Sequence, residues 1–556
     1  MYLSYSLLHP LVRELGASPL FWGVAFFIPL FCVFFLIARI APLQKLFVLE
    51  ETGLLLAAAV AIVCFVIPPL LYLFTSTFFD HVEPLVAIIS WLSWQGTPVY
   101  QDLTTHQRYS LPYGPFLFLF EGVAQGLLGP SIFSSKLLSC LAAVGSLGLI
   151  YWAFSTNVTK RIALLFTGLC AALFLRYTFF YFWTRPEPIL LFFTALGLVS
   201  VVRKTSLSPV LLGIALGLSV GLKVHSAVYF LPIFVLAANR NWIFREWLTS
   251  AAIAGAITIG GFFAFPQVSL GNYIALLRFA SQYGFNIKEY RNAMEWAATM
   301  FTPLAATTLF YKISRPEAPI PFAPSERRYL SAICLGVLIA IKPAALSGSG
   351  AQHLLPFLPL ILFLCAERAQ EGARIVWQPR LFSSTAYAFC YSWFVSCALV
   401  TTHATYSMVE RCLRKEPAEQ AAIREVQNIV RDNPGYTFLA GAGGDAEYDA
   451  TWVRCQLIFA GMPPGIDPMA KMDFTYVDSS EPELPALVQE LEERHARPVA
   501  WLIPKNSDPF TMRTYYPPGG PLYSEKFRAD FEASFERTRQ TDLFDLYTPK
   551  TEPPAE

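Results

Sequence analysis

Residues 53–84 read GLLLAAAVAIVCFVIPPLLYLFTSTFFDHVEP. The run from Gly53 to Thr75 carries no charge, and about 20 such residues are enough for a helix to cross the hydrocarbon core of a bilayer. Within eight residues of its end, Asp80, His81 and Glu83 crowd together. The stretch therefore pairs a spanning helix with two carboxylates and an imidazole at its mouth. A carboxylate held at bilayer depth is a functional candidate by default, because placing charge there is costly.

The rest of the chain agrees with the span. Of its 556 residues 54% are hydrophobic and only 15% charged, with a mean hydropathy of +0.45. Soluble domains carry roughly 25% charged residues, so the composition is that of a polytopic membrane protein. A net charge of +1 with no long basic run argues against a nucleic-acid partner. The ten cysteines show no CxxC and no metal-ligand spacing. Cys412 and Cys455 fall in a polar tail, where they could pair with each other.

The same length criterion picks out residues 19–39, 53–75, 131–154, 161–183, 187–202, 208–222, 225–238, 247–266, 293–312, 329–343, 353–367 and 382–402, about twelve spans in all. The pair 208–222 and 225–238 is short and reads as two tilted spans or a re-entrant hairpin. Lys and Arg concentrate in alternate loops: Arg39 and Lys45, Lys160 and Arg161, Arg203 and Lys204, Arg240 and Arg245, then Arg327 and Arg328. By the positive-inside rule these loops are cytoplasmic. The N-terminus, the first loop at 76–130 and the tail then lie outside. Residues 1–403 read as a membrane domain. Residues 404–556 alternate helical stretches such as PAEQAAIREVQNIVRDN with strand-like ones, YTFLAG, VAWLIP and LFDLYTP. They read as a small C-terminal α/β extracytoplasmic domain. FLAGAGGDA, formally G-x-G-x-x-A, reads as a turn after a strand rather than as a dinucleotide site.

Four pieces in order carry a family likeness: the first loop and next span from FFDHVEP through YSLPYGPFLFLFEGVAQGLLGPSIFSSKLL, then YFWTRPEPILLFFTALGL, LLGIALGLSVGLKVHSAVYFLPIF and SGSGAQHLLPFLPLILFL. Over residues 53–367 the chain resembles the GT-C superfamily of membrane glycosyltransferases, closest to bacterial relatives of the protein O-mannosyltransferases and of the lipid A aminoarabinose transferase. Two departures stand out. The span at 19–39 is extra, and the acids after the first family span are separated as Asp80 and Glu83 rather than adjacent. The resemblance implies an inverting enzyme of the bacterial inner membrane. It would move a sugar from a polyprenyl-phosphate donor to a lipid, glycan or protein acceptor outside the cytoplasm.

That chemistry has its own residue requirements. An acceptor hydroxyl needs a general base, and a carboxylate at the membrane surface can serve; Asp80 and Glu83 are the candidates. Their spacing equally fits a helix cap, with Asp80 at the N-cap and Glu83 reaching back. A lipid-phosphate leaving group needs cations. Arg185 in TRPEP, Lys223 and His225 in GLKVHS, and Lys342 and His353 on either side of SGSG run against the positive-inside trend at outward helix ends. Snorkelling to the interface is the plainer reading of each. Asp102, Arg108 and Tyr109 in the first loop are candidates for the acceptor site, or ordinary loop residues. Two carboxylates can hold a divalent metal, but nothing in the sequence requires a cofactor. The alternative function is a transporter or flippase for a lipid-linked or anionic substrate, which predicts charges within spans and repeated halves. No repeat is visible.

Overall fold

The computed structural model describes residues 28–33, 43–102, 105, 107, 109, 111–314, 322–376, 384–443, 450–477, 483–514 and 519–550. Most of the span expected at 19–39, and Arg108, lie outside the described residues.

Helix follows helix from Leu43 to Asp432. The first is α1 (Leu43–Phe74), followed by two short apolar helices, α2 (Val82–Trp94) and α3 (Pro115–Leu128). Then come α4 (Ile132–Asn157), α5 (Lys160–Arg176), α6 (Pro186–Arg203), α7 (Ser208–Leu222), α8 (Leu231–Asn239) and α9 (Phe244–Phe263). After α10 (Leu270–Ala280) the chain continues through α11 (Ile287–Ser314), α12 (Pro324–Ala344), α13 (Leu358–Val376) and α14 (Ser384–Asp432). Among the described residues, Thr52–Phe74, Ile132–Asn157, Pro186–Arg203 and Phe244–Phe263 are long and apolar enough to cross a membrane. Their outer faces leave Leu56, Val63, Leu141, Ile259 and Phe263 exposed, as an apolar solvent permits.

Packing sets the bundle's interior. α4 lies on α6, α7 on α9, α1 on α5 and α14, and α2 on α3. The α7–α9 contact is close because Gly213 and Gly217 face the α9 backbone: a Cβ on Gly217 would come within 2.8 Å of Ala254 O. Such small-residue seams let membrane helices approach. Helix α14 is longer than the sequence reading allows. The apolar stretch 382–402 and the polar helical stretch after 416 are one element, since AEQAAIREVQNIV has strong helix formers that carry the helix onward where hydropathy falls.

The remaining residues build a four-stranded sheet in the order β1-β2-β4-β3, from β1 (Thr437–Ala440), β2 (Val499–Pro504), β3 (Phe535–Gln540) and β4 (Phe544–Pro549). β1 and β2 are parallel; β4 is antiparallel to both β2 and β3. Helices α15 (Ala450–Phe459), α16 (Pro468–Val477) and α17 (Leu484–His495) lie between β1 and β2, and α18 (Glu525–Ser534) precedes β3. A separate core of Leu487, Leu491, Trp501, Phe510, Phe531 and Phe535 packs beneath the sheet. The pairing of Cys412 with Cys455 does not occur: one is on α14, the other on α15, and both are buried free thiols.

Candidate functional site

The turn between α1 and α2 is where the opening stretch folds. Asp80 Oδ1 accepts the N–H of Val82 at 2.7 Å, while Glu83 Oε1 reaches back to the N–H groups of Phe79 (2.7 Å) and Asp80 (2.8 Å). The cap pattern is thus half realised. Glu83 supplies the reach-back, but the N-cap of α2 is His81, without a side-chain cap bond, and Asp80 stands one residue before it, its Oδ1 bonded two residues on.

The two carboxylates are not equivalent. Glu83 is fully buried. Its Oε2 accepts the N–H of Thr184 at 2.9 Å and the hydroxyl of Tyr72. A carboxylate has about four lone-pair positions, and donors from three segments fill them. Burial, with the Asp80 charge adding to it, pushes the Glu83 carboxyl up, and the Tyr72 hydroxyl, the Thr184 N–H and Lys136 only partly offset it. Asp80 is half-buried, and its Oδ1 forms an ion pair with Arg185. Its Oδ2 has no partner among the described residues. Burial raises the Asp80 carboxyl, but Arg185 foremost, with His81 and the Val82 N–H, holds it below its ordinary value.

Arg185 is delivered by local geometry. The proline after it excludes the helical region, so Arg185 is extended at φ −149°, ψ 174°, and α6 starts at Pro186. Its guanidinium lies 3.9 Å from the Trp183 ring and donates from Nη1 to the Tyr113 hydroxyl at 3.3 Å. Its Nε is buried with no partner. Two residues on, Glu187 accepts from Trp183 Nε1 at 3.0 Å and forms a buried ion pair with Lys223. The charges suit the helix ends they occupy, Glu187 in the first turn of α6 and Lys223 at the C-cap of α7. Burial nevertheless pulls the Lys223 ammonium down, with Glu187 opposing.

Tyr113 joins the two pairs. Its hydroxyl meets Arg185, and the Lys223 ammonium is 5.2 Å from its ring centroid. Its place depends on a close backbone approach. Gly114 N–H donates to Leu222 O at 2.8 Å, and a Cβ on Gly114 would sit 2.1 Å from Gly221 O. Beyond Lys223, His225 Nε2 and His353 Nδ1 are 3.0 Å apart, and His353 Nε2 is 2.8 Å from Ser349 Oγ.

Asp80, Arg185, Lys223, His225 and His353 therefore form one band of polar groups with Glu83 behind it. Lys342 is exposed on the last turn of α12 and joins none of these pairs. Asp102 is exposed, with its backbone carbonyl accepting from Thr105. Tyr109 is buried and its hydroxyl is taken by Pro98 O at 3.0 Å, so it packs rather than faces a ligand. Sequence reasoning singles out Glu187 beside Arg185 in TRPEP without giving it a role, and it passes over Tyr113 and Lys136. Lys136 is fully buried and donates to the carbonyls of Tyr72 (2.9 Å), Thr75 (2.8 Å) and Thr77 (2.6 Å), closing the end of α1. Its signal was a lone cation inside an apolar span.

No family model matches the chain, and no curated protein does. Among solved structures it is similar to ArnT from Cupriavidus metallidurans bound to undecaprenyl phosphate. That match has a TM-score of 0.56 and 12% identity, over 88% of this chain and 97% of that one. The apo state of the same protein gives a TM-score of 0.55 over the same shares. The oligosaccharyltransferase of Archaeoglobus fulgidus in its apo form gives a TM-score of 0.41 and 12% identity over 81% of this chain and 69% of that one. At such identity the likeness is one of architecture: the chain shares the fold of that ArnT over nearly the whole length of both chains.

Proposed function

We propose that this chain is an integral-membrane glycosyltransferase that moves a sugar from a polyprenyl-phosphate donor to an acceptor hydroxyl on the extracytoplasmic side. The observation that carries the reading is the Asp80–Arg185 pair linked through Tyr113 to Lys223 and Glu187. It puts a carboxylate with an open oxygen next to cations, in a fold that binds a lipid phosphate in ArnT. On this reading about twelve helices cross the bilayer, the bacterial inner membrane is the site, and the four-stranded unit is a small extracytoplasmic domain of residues 404–556.

In the transfer, the bond from the anomeric carbon to the phosphate oxygen breaks as the acceptor oxygen bonds to that carbon. Asp80 Oδ2 orients the acceptor hydroxyl and takes its proton. Arg185 keeps Asp80 through Nη2 and offers its free Nε to the departing lipid phosphate, so one guanidinium positions base and leaving group together. Lys223 extends the positive side; in the His225–His353 pair one ring nitrogen accepts from the other, so the pair adds hydrogen-bonding groups rather than two further charges. Glu83, with all its lone pairs taken, holds the turn and is not the base. No step needs a metal.

The test uses membranes containing the full chain, supplied with radiolabelled polyprenyl-phosphate sugars. Asp80→Asn should lower transfer by roughly 100-fold or more, as for loss of a general base. Equal transfer by the variant removes Asp80 from this role, and absence of transfer from any sugar by the wild type counts against the enzyme reading.

A further inference from the structure

The peptide unit that leads into Asp80 is gripped at both ends. Its N–H, that of Asp80, donates to Glu83 Oε1 at 2.8 Å. Its carbonyl, Phe79 O, accepts from Arg411 Nη2 at 3.0 Å. Arg411 belongs to the second half of α14, 332 residues further along the chain. The same guanidinium lies 5.1 Å from the Phe79 ring centroid and 5.5 Å from that of Phe179, and these rings stack at 5.1 Å with planes 7° apart. Carbonyl and side chain of Phe79 are therefore fixed by one charged group.

The next turns of α14 treat the preceding residues in the same way. Glu416 Oε2 accepts the N–H of Ser76 and Glu419 Oε2 accepts the hydroxyl of Thr77, both at 2.5 Å, while Gln420 donates to Ser76 Oγ. Further on, Glu425 Oε1 accepts the N–H of Leu543 at 2.9 Å and the Thr541 hydroxyl, in the turn between β3 and β4. One helix thus touches both the Asp80 turn and the sheet.

We propose that Arg411 is a positioning residue for Asp80, and that the second half of α14 is the strap by which the C-terminal part of the chain sets the direction of that carboxylate. A hydrogen bond from a charged donor is roughly twice as strong as a neutral one. The plane of the Phe79–Asp80 peptide decides where the Asp80 side chain leaves the backbone. Misplacing a reacting group by about 1 Å costs on the order of 100-fold in rate, so a grip on that plane acts on turnover rather than on substrate capture. The inference rests on the reading of Asp80 as the group that orients the acceptor.

The test compares Arg411→Ala and Arg411→Lys with the wild type in the full-length, detergent-solubilised chain. It reads amide hydrogen exchange over residues 76–84 and sugar transfer with KM and kcat separated. Arg411→Ala should raise exchange at Asp80 roughly tenfold by local opening and leave α4 and β2 unchanged. It should also lower kcat roughly 10- to 100-fold with KM for the donor nearly constant. Arg411→Lys, which keeps a charged donor for Phe79 O, should recover most of both. Unchanged exchange at Asp80, exchange that rises equally in α4 and β2, or a change in KM alone would overturn the proposal. Exchange needs no turnover. A chain that transfers no sugar yet opens locally at residues 76–84 therefore sinks the glycosyltransferase reading and upholds the strap.

Discussion

Asp80 is ion-paired with Arg185, which stands 105 residues further along the chain at the start of another helix. The pair ties the turn after α1 to the start of α6, and it decides how Asp80 titrates. Burial alone would raise the carboxyl; Arg185 brings it below its ordinary value of 3.8.

The first prediction follows from that balance. A carboxylate whose folded value is depressed stays ionised down to pH values below its ordinary range and is lost only as pH falls through the folded value. The acidic limb of kcat/KM in the wild type should therefore lie below about pH 4. In Arg185→Gln the largest lowering influence goes while burial remains, so the limb should move to higher pH. A pH–rate profile of both proteins checks this, and a limb that stays put or moves down would show that Arg185 does not control Asp80.

Glu83 and Asp80 should separate stability from catalysis. Glu83→Gln keeps one acceptor oxygen where two were filled, and its new NH2 faces N–H donors. Each buried group left unpaired costs about 1–3 kcal/mol. Glu83→Gln should therefore lower the thermal midpoint more than Asp80→Asn does, while Asp80→Asn should lower transfer more. Thermal melts and transfer assays on the two variants give both rankings. The reverse order in both would exchange the roles assigned here.

The buried Lys223–Glu187 pair makes a third case. Removing one partner from a buried pair costs about 3–5 kcal/mol because the other charge stays behind. Lys223→Met and Glu187→Gln should each destabilise the chain, and the double variant should melt closer to the wild type than either single one. A thermal double-mutant cycle measures the coupling. Additive losses would mean that the two groups do not act as a pair.

What the sequence disclosed depended on the range of the interaction. The bounds of α6, expected at 187–202 and found at Pro186–Arg203, were legible because prolines and charges bracket an apolar run. Asp80 and Arg185 were each legible as charges at helix ends, but their pairing was not, since only the packing of α1, α2 and α6 brings them together. Glu83 looked like a second base because its saturation depends on Tyr72 and Thr184, on segments far from the turn in sequence or in direction. Lys342 was grouped with the phosphate cations by its nearness to SGSG. Its side chain leaves α12 on the exposed face, a direction that spacing to the next loop does not encode. The reach of α14 to Arg411 was hidden because hydropathy ends at the lipid boundary while the helix does not.

The last prediction concerns how Tyr113 reaches its place between the two ion pairs. The Phe116 ring lies against two glycines: a Cβ on Gly221 would come within 2.1 Å of Phe116 Cδ2, and one on Gly261 within 2.8 Å of Phe116 Cζ. Phe116 opens α3 two residues after Gly114, whose N–H is held by Leu222 O. Gly221→Ala must push the ring away and carry Gly114 and Tyr113 with it. Overpacking of this kind costs about 1–3 kcal/mol, and the shift should also lower sugar transfer. Phe116→Leu on the Gly221→Ala background frees space and should restore part of both losses. Gly148→Ala is the control, because a Cβ there meets nothing within 4 Å. Gly221→Ala indistinguishable from Gly148→Ala in melting and transfer would mean that the approach of α3 to α7 does not place Tyr113.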